Sequence, residues 1–71
     1  MSDAEVIGAI LVSRICILED MHKYGELSDS TYHACLILIK SINTLCKKNN
    51  IDLCMEQRWD DYIKNIISDG Y

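Results

Sequence analysis

The sequence contains no proline, no phenylalanine and only three glycines in 71 residues. Without proline, nothing in the chain forces a break inside a helix. The glycines, Gly8, Gly25 and Gly70, stand far apart, which rules out a glycine-rich loop of the kind that cradles phosphate. Basic residues are in deficit: 7 against 11 acidic ones, for a formal charge of −4. A protein that grips nucleic acid along its phosphates needs a clustered positive face, so nucleic acid is disfavoured as a partner. Long apolar runs are missing too. The uncharged stretches Val6–Ser13, Tyr32–Ile39 and Ser41–Cys46 fall far short of the ~18 to 20 residues a membrane helix requires. The start, Met-Ser-Asp-Ala-Glu, is acidic where a secretory leader is basic. No export and no membrane partner are therefore expected. A cytoplasmic location is, and the four cysteines would stay reduced there.

What is present is apolar surface at helical spacing. Hydrophobic residues make up 49% of the chain, which argues against disorder, and the length allows one domain over residues 1–71. Ser2 followed by Glu5 is a capping-box signature, and it predicts a first helix over about 3–23. Gly25 then suits a left-handed position just past the helix end. Ser28, with Asp29 in the first turn, predicts a second helix over about 29–48. Leu27 and Tyr32 have the spacing of a hydrophobic staple there. Asn49-Asn50 form the next break. Asn50 or Asp52 would cap a third helix over about 53–67, with a frayed tail Ser68–Tyr71. No segment alternates strictly between apolar and polar residues, so strands are not supported. The expected fold class is all-α: a small three-helix bundle that forms a homodimer.

The faces of these helices carry the functional reading. At about 100° per residue, Ile7, Ile10, Leu11, Ile15, Leu18 and Met21 share one broad apolar face of the first helix. On the second, Tyr32, Cys35, Leu36, Ile39, Ile42 and Cys46 form a face that Ala34, Leu38 and Leu45 extend around the cylinder. Only the side with His33, Lys40, Ser41, Thr44 and Lys47 reads as wet. The third helix is conventional, with Met55, Trp59, Tyr62, Ile63, Ile66 and Ile67 opposite Gln57, Asp61, Lys64 and Asn65. A surface helix ordinarily has a single apolar stripe. The second helix has more than that, and a chain this short buries only about 60% of the surface its unfolded form exposes. Either the second helix is sandwiched between the first and third in a compact monomer, or self-association, most simply with C2 symmetry, covers the surplus at Leu38 and Leu45; the second is the expectation.

Few residues suggest chemistry. Cys16, Cys35, Cys46 and Cys54, with His22 and His33, include no CxxC pair and no zinc-module spacing, so no metal and no other cofactor is expected. Cysteine on an apolar helix face behaves as a small hydrophobe. A Cys–His couple lacks the orienting third group that nucleophilic catalysis uses. Asp60 and Asp61 are adjacent and point about 100° apart on a helix, which does not make a two-carboxylate site. No catalytic residue is assigned, and the protein is expected not to be an enzyme. Arg14 projects from the apolar face of the first helix. It either lays its stem on the core with its charge in water, pairs with Asp60 or Glu56, or recognises an anion bidentately. Residues 52–71 hold five acids and two bases, with Trp59, Tyr62 and Tyr71 among them as possible interface anchors.

The function expected from these features is a non-enzymatic helical interaction module. It would act as a regulator, inhibitor or adaptor by oligomerising and presenting an acidic helical surface to another protein. Arg14, Leu38, Leu45, Asp60, Asp61 and Tyr62 are its expected contact residues. Two rivals stand beside it. One is a dimeric helical DNA-binding regulator using the mildly positive strip His33, Lys40, Thr44, Lys47 and Lys48. The other is an oligomeric sequestering protein that binds a small anionic ligand near Arg14.

Overall fold

The computed structural model describes residues 2–69. They form three helices and no strand: α1 (Asp3–Lys23), α2 (Asp29–Lys48) and α3 (Gln57–Asp69). The helix ends follow local chemistry. The Ser2 Oγ accepts the Glu5 N–H at 3.3 Å to open α1, and the Ser28 Oγ accepts the Thr31 N–H at 3.3 Å to open α2. Each leaves fewer orphan amides in the first turn.

Both helices end in the same motif. At the end of α1, the Gly25 N–H donates to the His22 carbonyl at 3.1 Å and the Glu26 N–H to the Met21 carbonyl at 2.9 Å. At the end of α2, the Asn50 N–H donates to Lys47 at 3.1 Å and the Ile51 N–H to Cys46 at 2.8 Å. These paired bonds define a Schellman turn, whose pivot residue adopts a left-handed conformation. Gly25 has φ 75° and Asn50 has φ 61°.

The third helix departs from expectation at its start. It opens at Gln57 rather than near Leu53, and it runs to Asp69. Neither Asn50 nor Asp52 caps it. Asn50 is used as the pivot that closes α2. The Asp52 carboxylate instead accepts the Cys54 N–H at 2.8 Å, and Cys54 has φ 57°, outside helical backbone. Residues 51–56 therefore cross the end of the bundle as an irregular strap. Leu53 is fully buried on it, and its backbone runs directly over Gly8 of α1. A Cβ at Gly8 would lie 1.9 Å from the Leu53 carbonyl oxygen. Of the expected fray, residues 70 and 71, including the anchor considered at Tyr71, lie outside the described residues.

The core consists of Leu11 and Ile15 from α1, Tyr32, Leu36 and Ile39 from α2, Leu53 of the strap and Ile63 of α3. Leu27 packs against this cluster, which includes Tyr32. The helix α2 packs against both α1 and α3, but it is not enclosed. The molecule measures 35 × 22 × 17 Å, and a helix with its side chains is already about 10–12 Å across. Two helices lie against one side of α2, and its other side is bare.

Candidate interaction surface

The side of α2 that packs on α3 is the polar one. Asn43 is buried there, and its Nδ2 donates to Asp60 Oδ1 at 3.0 Å. The Lys47 Nζ donates to Asp60 Oδ2 at 3.1 Å. One turn beyond the start of α2, the two ring nitrogens of His33 face the Asp29 carbonyl at 2.7 Å and the Ile66 carbonyl at 3.1 Å. Tyr32 joins the same contact, its hydroxyl 2.9 Å from that of Tyr62. The expected wet side of α2 is thus partly covered. His33 is half-buried rather than exposed, and Lys47 is engaged with α3. The cause is electrostatic. The Asp60 carboxylate and the Ile66 carbonyl near the C-terminal end of α3 attract donors, and His33, Asn43 and Lys47 of α2 lie on that side.

Rotating its polar side inward turns part of the apolar side of α2 outward. Leu38 is 63% exposed and Leu45 is 62% exposed, with Ala34 and Ile42 also open to solvent. At about 100° per residue, Leu38 and Leu45 project roughly half a turn from buried Leu36. The apolar face of α1 divides in the same way. Leu11 and Ile15 enter the core, whereas Ile7 is 44% exposed and Ile10 is 53% exposed. A shallow groove follows this outer side of α1, lined by Val6, Ala9, Ile10, Ser13, Arg14 and Ile17.

The expected contact residues take up different positions. Arg14, Leu38, Leu45 and Asp61 are exposed. Arg14 makes no ion pair among the described residues, because Lys47 occupies Asp60 and Arg58 pairs with Glu56 at 2.8 Å. Asp60 is 8% exposed and belongs to the α2–α3 contact, not to an outward acidic face. Burial opposes its ionisation, but the hydrogen bonds from Lys47 and Asn43 and the charge of Lys40 outweigh burial and hold the carboxyl below its ordinary range. Asp61 faces solvent and accepts from Gln57 Nε2 at 3.1 Å. Tyr62 is half-buried, and burial together with its bond to Tyr32 pushes its phenol well above the ordinary value. It packs edge-on to Trp59 with ring centres 6.2 Å apart.

All four cysteines are free, and Cys46 and Cys54 are not joined. Desolvation and the Asp52 and Glu5 carboxylates push the Cys54 thiol above its ordinary value, which reduces its thiolate fraction at neutral pH. Among the described residues, no group of three or more His, Cys, Asp or Glu side chains is placed to hold a metal ion, and no helix is long and apolar enough to cross a membrane. No protein-family model, curated protein or solved structure matches the chain.

Two features of this surface were not visible in the sequence. Asn43 sits between Ile42 and Thr44, and nothing local marks it as buried. Gly8 looks like a weak point in a helix, and only the strap that crosses it gives it a role. A glycine within an otherwise strong helix-forming run was the one available signal.

Proposed function

We propose that this protein is a non-enzymatic helical interaction module that works by self-association. It acts as a regulator, inhibitor or adaptor whose assembled form presents helical surface, including the exposed Asp61 of α3, to another protein. The observation that carries the reading is the bare side of α2. Leu38 and Leu45 are exposed there while Asn43 and Asp60 are buried. The intrachain bonds of Asn43 and Asp60 account for the buried polar groups but leave the leucines uncovered, and covering exposed leucine surface is worth about 25 cal/mol per Å².

The polar arrangement also weakens the DNA-binding rival. Of its five strip residues, Lys47 is engaged by Asp60, and His33 faces the carbonyls of Asp29 and Ile66. Lys40, Thr44 and Lys48 make too small a positive patch to neutralise a run of phosphates.

Light scattering at micromolar concentration tests the proposal. A dimer or larger species is expected. Leu38→Glu and Leu45→Glu should reduce its mass toward that of one chain while leaving the helical circular dichroism intact. A monomeric wild type, or an assembly that both variants leave unchanged, overturns the use of this face.

A further inference from the structure

The outer stripe of α1 is complementary in charge to its own reverse. Asp3, Ile7, Ile10 and Arg14 lie on one side of the helix, within an arc of about 60° at 100° per residue. Their order is acid, isoleucine, isoleucine, base. All four are exposed, and neither Asp3 nor Arg14 makes an ion pair with another described residue.

A two-fold axis perpendicular to α1, passing between residues 8 and 9, acts on this pattern in a specific way. With a rise of about 1.5 Å per residue, Asp3 and Arg14 lie roughly 8 Å to either side of the axis, and Ile7 and Ile10 roughly 2 Å. The rotation therefore sets Asp3 of one chain opposite Arg14 of the other, twice, with Ile7 against Ile10 between the two pairs. A C2 interface requires a patch complementary to its own rotated copy, and this stripe meets that condition in both charge and shape. Parallel pairing would oppose Asp3 to Asp3 and Arg14 to Arg14, which is repulsive.

We infer that α1 is a self-recognition element: a second copy of this chain docks antiparallel along it, with Arg14 as the base that fixes the register. The inference rests on the self-association proposed above and assigns it a specific contact. Four residues per helix bury less than a stable interface needs. The exposed Val6 and Ile17 beside the stripe add apolar area on α1, and the bare side of α2 is a second patch for self-association to cover. Arg14 sets the register of the α1 contact, and the isoleucines give it apolar area. The contact also explains a charged residue in the middle of an apolar helix face.

The test uses charge reversal in the full chain, read by sedimentation velocity, with helix content monitored by circular dichroism. Arg14→Asp makes both ends of the stripe acidic, and Asp3→Arg makes both ends basic. Each variant alone should self-associate about tenfold more weakly than wild type, since two attractive contacts become repulsive. Mixing the two variants should form a heterodimer with near-wild-type affinity, and the double variant should self-associate like wild type. Single variants that associate as tightly as wild type, or a mixture that does not recover, overturn the α1 register. If Leu38→Glu and Leu45→Glu still dissociate the assembly in that case, self-association through α2 stands and only the α1 contact fails. A wild type that is monomeric throughout the concentration range removes both.

Discussion

Asp60 illustrates how single residues decide the packing. Its carboxylate is buried, and it remains ionised because Lys47 and Asn43 donate to it. Its folded-state pKa is below the ordinary value. The stability it contributes is therefore present above the unfolded pKa of about 3.9 and is lost as pH falls through the depressed folded value. Thermal melts should show wild type above Asp60→Asn near pH 7, with the gap closing under strong acid; a gap independent of pH would contradict this role. The exposed Asp29, lowered by its contact with His22, adds acid sensitivity of the same sign in both proteins. Among the described residues Asn43 Oδ1 has no hydrogen-bond partner, so the amide is held by one good bond and carries a desolvation cost of about 1–3 kcal/mol. Gly8 is the second decisive residue. Alanine would improve helix propensity by up to about 1 kcal/mol, but its Cβ would overlap the Leu53 carbonyl. Gly8→Ala should be destabilising by roughly 1–3 kcal/mol in urea titrations; a stabilised variant would mean the strap does not lie on α1.

Helix ends were legible because they depend on local atoms. The caps at Ser2 and Ser28 and the pivots at Gly25 and Asn50 are short-range arrangements that a few residues specify. Gly25 has open space around its Cβ position, so its requirement is conformational alone. Gly25→Ala should therefore cost about 1 kcal/mol through the left-handed backbone, lowering the melting temperature by roughly 4–8 °C. An unchanged melting temperature would show that the turn tolerates a Cβ. The start of α3 was not legible. Periodicity around Leu53 and Met55 fits a helix, but Leu53 reaches the core only from the irregular strap. The strap bends where the Asp52 carboxylate accepts the Cys54 N–H, and its backbone at Leu53 lies on Gly8 of α1. A long-range contact overrode a local preference, as tertiary packing routinely does.

For the whole molecule, the question is how two layers of helix cover an amphipathic third. They do so incompletely. The polar side of α2 docks on α3, and Ala34, Leu38, Ile42 and Leu45 remain outside. An oligomer that hides them links stability to concentration, because association stabilises only the folded chain. The melting temperature should rise with protein concentration for wild type and become flat in Leu38→Glu. Scanning calorimetry over a hundredfold dilution measures this, and a flat wild-type series would leave no thermodynamic trace of association.

The amino-acid sequence alone determined the helical class, the ends of α1 and α2 and the excess of apolar surface, because capping, turn conformation and periodicity are set by neighbours within one or two turns. Only the tertiary structure decided that Asn43 joins Tyr32, Leu36 and Ile39, the face that periodicity already marks, on the buried side of α2. That choice depends on an acid at Asp60 and a carbonyl at Ile66 meeting donors more than ten residues away along the chain. It placed Asn43 in the core and Leu38 in water, the reverse of what hydropathy by itself prescribes, because a buried carboxylate must be paired whereas exposed leucines can be covered later by another chain.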